Sequence, residues 1–86
     1  MALIDEIHQR LAALEPVRLD IEDDSARHAG HAGNAGGGHF TITIVSSHFS
    51  GKSRIMRHRV VYQSLEEFIP SRIHALSIRA LAPDEL

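Results

Sequence analysis

The sequence predicts an α+β sandwich, in which two helices cover one face of a three-stranded mixed sheet in the order α-β-β-α-β. Apolar residues recur at helical spacing in two segments, at about residues 2–14 and 54–69. Three further segments, residues 17–22, 39–45 and 73–81, are rich in β-branched or alternating apolar residues. A chain of 86 residues has room for one core, so residues 1–86 are expected to form a single domain.

The composition excludes several classes of protein. The hydrophobic fraction of 43% and the charged fraction of 23% are ordinary for a globular domain. The absence of cysteine excludes a disulfide framework and a thiolate metal site within the chain. No stretch approaches the ~20 apolar residues that span a bilayer, and the first residues do not resemble a signal peptide. We therefore expect a cytoplasmic protein that has no membrane partner.

The first helix and the first strand follow from residue spacing. The helix carries acids in its first turn, where the helix dipole favours them, and ends before Pro16. Its apolar residues are Leu3, Ile4, Ile7, Leu11 and Leu14. Residues 17–22 then alternate between apolar and polar side chains, which predicts a strand with one buried face. The residues predicted to face the core are Val17, Leu19 and Ile21.

A glycine-rich segment, residues 24–38, separates the first strand from the second. It contains five glycines and no large apolar side chain, which predicts a surface loop. Loops longer than about 12 residues are usually functional or disordered in compact domains. The second strand buries Phe40, Ile42 and Ile44 by alternation, and we expect it to form an antiparallel hairpin with the first.

The second half of the chain predicts a helix, a strand and a short tail. Ser53 is a suitable N-cap for the helix, and Pro70 ends it. The predicted apolar stripe of this helix is Met56, Val60, Val61, Leu65 and Phe68. The strand at residues 73–81 follows, and the tail at residues 82–86 is predicted to form a first helical turn or a frayed end.

Connectivity places His74 near the glycine-rich loop. A crossover through one helix makes the third strand parallel to the second. Parallel strands begin at the same end of a sheet, and the second strand begins where the loop ends. His74 is near the start of the third strand, so we expect it to lie beside the loop that carries His28 and His31.

Seven histidines are a high count for a chain of this length. Surface or structural roles are expected for His8, His39, His48 and His58. The H-x-x-H of His28 and His31 is a weak signal, because a loop does not fix both rings on one side. By alternation His74 shares a face with Leu76 and Ile78, which also allows a partly buried structural role. Two imidazoles do not complete a metal site, so a ligand pair from the loop and His74 would require a partner.

Motifs along most of the chain resemble the BolA family, from the first helix to about Ala80. The matching pieces are Asp23-Asp24-Ser25 before Arg27-His28, His39-Phe40, Ile44-Val45-Ser46, Phe49 with Gly51, Arg57-His58-Arg59-Val60-Val61-Tyr62, and Ile73-His74-Ala75-Leu76-Ser77-Ile78. The family fold is similar to a class II KH domain, which agrees with the predicted order of elements.

The resemblance implies a partner and a cofactor. BolA-like proteins form heterodimers with monothiol glutaredoxins, in which a [2Fe-2S] cluster bridges the two chains and serves iron–sulfur trafficking or iron sensing. The glutaredoxin cysteine and glutathione hold one side, and two histidines of the BolA-like chain hold the other. Here the implied ligands are His74 and His28, with His31 as an alternative to His28. No cofactor is expected in the isolated chain.

A basic cluster allows a second function. Residues 25–60 contain five basic residues and no acid, and the predicted contacts for a partner or a nucleic acid are Lys52, Arg54, Arg57 and Arg59. The resemblance to the BolA family also implies the alternative of a DNA-binding transcriptional regulator, although residues 50–53 do not form the G-x-x-G loop of nucleic-acid-binding KH domains. No catalytic motif is present, so we do not expect an enzyme.

Overall fold

The computed structural model describes residues 2–24 and 38–86. The helices are α1 (Leu3–Leu11), which continues as a 3-10 turn over Ala12–Leu14, and α2 (Arg54–Leu65), which continues as a 3-10 turn over Glu66–Phe68. The strands are β1 (Arg18–Asp23), β2 (Gly38–Val45) and β3 (Ile73–Leu81). Further 3-10 turns lie at Ser47–Phe49 and Pro83–Glu85. The predicted α+β class and the order of elements are confirmed.

The sheet has the strand order β1-β2-β3 and the predicted mixed topology. β1 pairs with β2 in antiparallel register, with Ile21 opposite Ile42. β2 pairs with β3 in parallel register, with Ile42 opposite Ile78. Gly38 at the start of β2 is opposite Ile73, and its N–H donates to the carbonyl of Arg72 at 2.9 Å. The end of the glycine-rich segment therefore lies at the start of β3, as the connectivity predicts.

The core lies between the helices and one face of the sheet. Its buried members are Ile7, Leu11, Leu14, Phe40, Ile42, Ile44, Phe49, Val61, Leu65, Phe68 and Ile73. The prediction of burial is wrong for two residues: Val17 is 70% exposed and Met56 is 46% exposed. Val17 precedes the first residue of β1, and Met56 lies in the first turn of α2. No helix in the described ranges is long and apolar enough to cross a membrane.

Short polar contacts fix the turn between β2 and α2. The side chain of Ser46 is buried, donates to the carbonyl of Leu14 at 2.5 Å and accepts from the N–H of His48. Gly51 has a φ of 77°, a value that favours glycine, and the N–H of Lys52 closes this turn on the carbonyl of Phe49. Ser53 caps α2 as predicted, because its hydroxyl accepts from the N–H of Met56 at 3.2 Å. The start of α2 is therefore held against the end of β2.

Candidate functional site

A β-bulge places His74 at the surface. The register of β2 and β3 is regular except at one point, where Gly38 is opposite Ile73 but the next residue, His39, is opposite Ala75. His74 is thus the extra residue of the bulge and has no partner in β2. The regular alternation predicts that His74 shares a face with Leu76, and this prediction is wrong, because the bulge breaks the alternation. Ile73 is buried and His74 is exposed.

His39 lies beside His74. The centroids of the two imidazole rings are 5.3 Å apart, and the ring planes are tilted by 43°. His39 is only partly exposed, and its Nε2 atom is buried. In this arrangement His74 presents its ring to solvent, while His39 packs against that ring and limits the positions that it can adopt. The sequence predicts only a surface role for His39, although the predicted parallel pairing of β2 and β3 brings the starts of both strands, and so His39 and His74, to the same end of the sheet.

The two loop histidines that the sequence singled out, His28 and His31, lie outside the described residues. At this end of the sheet, the described residues therefore supply one exposed imidazole, that of His74, and a second imidazole, that of His39, beside it. Within residues 2–24 and 38–86, no group of three or more histidine, aspartate or glutamate residues could hold a metal ion.

Arg57, which the sequence predicts as a partner contact, is used inside the chain. Its guanidinium donates to both carboxylate oxygens of Glu85 at 2.5 and 2.8 Å, and to the carbonyls of Lys52 and Ala80 at 2.9 and 3.2 Å. Its side chain is only 13% exposed. Together with the backbone N–H of Ala82, Arg57 lowers the pKa of Glu85 to about 2. Arg57 therefore holds the C-terminal turn against α2 and β3.

The other predicted basic contacts differ in their surroundings. Lys52 donates to the carbonyl of His48 at 2.5 Å and so belongs to the turn before α2. Arg54 and Arg59 are exposed, and neither forms an ion pair with another described residue. Arg54 lines a groove between α2 and β3 together with Arg79, a residue that the sequence reasoning did not select. The groove is lined by Arg54, Arg57, His58, Ile78, Arg79, Ala80 and Leu81.

Comparisons with known proteins agree with this fold. Residues 11–85 match the protein family described as BolA-like protein. Protein BOLA1, chloroplastic, of Arabidopsis thaliana is 49% identical over 76 residues, which are 84% of this chain and 48% of that protein. The DNA-binding transcriptional regulator BolA of Escherichia coli (strain K12) is 37% identical over 79 residues, which are 91% of this chain and 73% of that protein.

A solved structure of a BolA domain has the same fold. The BolA domain of SufE1 from Arabidopsis thaliana superposes with a TM-score of 0.84 at 42% identity, covering 100% of this chain and 99% of that chain. The chain matches 21% of the length of the curated SufE-like protein 1, chloroplastic/mitochondrial, of the same plant. It therefore corresponds to one domain of that longer relative.

Proposed function

This chain belongs to the BolA family, and from that premise we propose that it is the partner of a monothiol glutaredoxin in iron–sulfur cluster trafficking or iron sensing. The two proteins would form a heterodimer around one [2Fe-2S] cluster. The glutaredoxin cysteine and glutathione would hold one iron, and two imidazoles of this chain would hold the other. The observation that carries the proposal is the exposed position of His74 on the bulge, where its imidazole ring lies beside that of His39. The centroids of the two rings are 5.3 Å apart.

His74 is the first ligand in this proposal. It is exposed, it extends from a strand rather than from a loop, and its ring is packed on one side. A ligand fixed in this way loses little conformational freedom when a partner binds. The second ligand is His28, or His31 in its place. Gly38, the residue that ends their segment, is opposite Ile73, so the segment joins the sheet one residue from His74.

The donor set suits a shared cluster. The chain contains no cysteine, and imidazole nitrogen is a donor that suits iron. When two imidazoles replace two thiolates on one iron, the reduction potential of a [2Fe-2S] cluster rises, as in Rieske centres. Within this chain, His74 would donate a nitrogen and His39 would position the His74 ring.

The test is a titration of a cluster-loaded monothiol glutaredoxin, in the presence of glutathione, with this protein. We expect the visible circular dichroism to change to a new spectrum at one equivalent, and gel filtration to show a heterodimer. The variant His74→Ala should give no new spectrum. His8→Ala, which removes an exposed histidine from α1, is the matched control and should behave as the wild type.

The outcomes separate the two parts of the proposal. If the wild-type protein leaves the glutaredoxin spectrum unchanged and forms no heterodimer, the partnership is wrong. If His74→Ala gives the same new spectrum as the wild type, the partnership stands and the assignment of His74 is wrong.

DNA binding is the second candidate, favoured by the identity to the Escherichia coli protein whose name is DNA-binding transcriptional regulator BolA. Of the four predicted contacts, Lys52 and Arg57 are engaged with groups of their own chain, which leaves Arg54 and Arg59 for phosphates. Specific binding should lose affinity in Arg54→Ala and depend on the DNA sequence at fixed salt. Equal affinity for unrelated duplexes would count against a regulator.

A further inference from the structure

The outer edge of β3 is open. β3 pairs with β2 alone, and no other strand of the described chain lies beyond it. The carbonyl of Leu81 accepts from the N–H of Ser46 on the side of β2, whereas the carbonyl of the preceding residue, Ala80, points to the other side and accepts from Arg57. Because backbone groups alternate along a strand, the carbonyls of Leu76 and Ile78 point to the same open side as that of Ala80. The backbone carbonyls of Leu76 and Ile78 on this side can pair with another strand.

A cationic groove runs along this open edge. Arg54 of α2 and Arg79 of β3 line it together with Ile78, Ala80 and Leu81. The side chains of Arg54 and Arg79 form no ion pair or hydrogen bond with any residue of the described ranges. Two guanidinium groups that have no ion-pair partner among the described residues, beside an unpaired strand edge, form a surface that complements an acidic segment.

The chain shows how a carboxylate docks at one end of this groove. Glu85 reaches back from the C-terminal turn and binds Arg57 with both oxygens, next to the carbonyl of Ala80. This planar, two-bond arrangement is the one that guanidinium groups prefer with carboxylates. Glu85 neutralises Arg57 only, so the positive charge of Arg54 and Arg79 remains for a ligand.

The lining of the groove favours a peptide over a single-stranded nucleic acid. Single-strand binders use aromatic side chains on which bases stack. Within the described lining the only ring is that of His58, and it already stacks on Tyr62 with the ring centroids 6.0 Å apart. We propose that the open edge of β3 binds an extended acidic peptide segment of a partner protein as a fourth strand, with its carboxylates on Arg54 and Arg79.

The probe for this proposal is a short synthetic peptide with one pair of adjacent glutamates between threonines, added to the ¹⁵N-labelled full chain. Adjacent residues of a strand point to opposite faces, so the two carboxylates can reach Arg54 and Arg79. We expect amide chemical-shift changes at Leu76, Ile78 and Ala80, and affinity that falls as salt is added. The variants Arg54→Ala and Arg79→Ala should each weaken binding about threefold, the size expected for exposed ion pairs. Arg59→Ala removes the same charge from α2 outside the groove and should leave the affinity unchanged.

Backbone methylation separates strand pairing from simple charge attraction. Two versions of the peptide are made: one carries N-methyl groups on the odd-numbered residues, and the other carries them on the even-numbered residues. One version should lose binding, because its pairing N–H groups are blocked, and the other should retain it. His74→Ala should bind the peptide as the wild type does, so this result does not depend on the proposed cluster.

Three results would overturn the proposal. The first is an absence of shifts along β3 with the glutamate peptide. The second is equal binding of both methylated peptides, which would indicate attraction by charge alone. The third is binding of a thymidine oligonucleotide at the same amides, dependent on Arg54 and Arg79, under conditions in which the peptide does not bind.

Discussion

At the scale of single residues, His39 and His74 are close but differ in what they present to a partner. His74 is exposed on the bulge, and the Nε2 atom of His39 is buried behind it. We expect His39→Ala to weaken formation of the glutaredoxin heterodimer while leaving the shape of its visible circular dichroism spectrum unchanged, because the ligands are still present. Titration of the cluster-loaded glutaredoxin with His39→Ala and with His74→Ala measures the affinity and the spectrum of each heterodimer. If His39→Ala abolishes the spectrum as His74→Ala is expected to do, His39 is a ligand rather than a positioning residue.

Arg57 is the residue on which the C-terminal turn depends. Its guanidinium bonds the carbonyls of Lys52 and Ala80 and both oxygens of Glu85. Lysine keeps the charge but cannot reproduce the planar set of donors. We expect Arg57→Lys to lower the melting temperature by several degrees, measured by circular dichroism.

Arg59→Lys is the control for this prediction, because Arg59 lies in the same helix and is exposed. It should melt as the wild type does. Equal melting of Arg57→Lys and the wild type would show that the charge alone is sufficient to hold the C-terminal turn.

At the scale of secondary-structure elements, the start of β2 depends on a small residue at position 38. A Cβ atom on Gly38 would lie 2.3 Å from Cε2 of Phe40, whose ring is buried. We expect Gly38→Ala to lower the free energy of unfolding by about 1–3 kcal/mol, the usual cost of overpacking. Urea denaturation measures this cost.

A double variant identifies the cause. If the clash with Phe40 is responsible, the effect of Gly38→Ala should be smaller in a Phe40→Leu background than in the wild type. The same loss in both backgrounds would place the cause in the backbone at the bulge instead of in the ring.

The sequence predicts the elements well because their signals are local. Helical spacing and alternation give both helices and all three strands, and the single crossover gives the parallel pairing that brings Gly38 to Ile73. The bulge is not predictable in this way, because it is a property of the pairing between two strands. Its consequence, the exposure of His74, is therefore missed by simple alternation, and so is the contact with His39.

Long-range side-chain contacts escape the sequence for the same reason. Arg57 belongs to a basic run that indicates a partner surface, yet its partner, Glu85, lies 28 residues further along the chain. Arg79 stands alone in its strand, and only the packing of α2 against β3 brings it beside Arg54. Residue type identifies such groups as candidates, whereas the fold decides which of them remain available to a ligand.

At the scale of the whole molecule, three arginine–glutamate ion pairs within residues 2–24 and 38–86 join segments that are distant in the chain. They are Glu6 with Arg72, Arg10 with Glu67, and Arg57 with Glu85. Two of these arginines, Arg10 and Arg72, also lie over the ring of Phe68, with guanidinium carbons 5.1 and 5.4 Å from its centroid. The first two pairs thus connect α1 to the segment between α2 and β3, and the third fastens the C-terminal turn.

These pairs predict how stability depends on pH. Hydrogen bonds from the arginines lower the pKa of Glu6, Glu67 and Glu85, the last to about 2 from a usual value of 4.5. A carboxylate whose pKa is lowered by folding stabilises the folded state above its usual pKa, and this stabilisation is lost as the pH falls towards the folded value. We expect the contribution of these pairs to the urea midpoint to stay constant from neutrality down to the usual pKa of 4.5, and to be lost below it as the pH falls towards 2.

The variant Glu85→Gln tests the contribution of one pair. It removes the titrating group, so its urea midpoint should be lower than that of the wild type at neutral pH, and the difference should shrink as the pH approaches 2. A matched variant, Glu66→Gln, changes an exposed glutamate with no arginine partner among the described residues and should keep the wild-type pH profile. A constant difference between Glu85→Gln and the wild type at every pH would mean that Glu85 acts through packing of the turn and not through its charge.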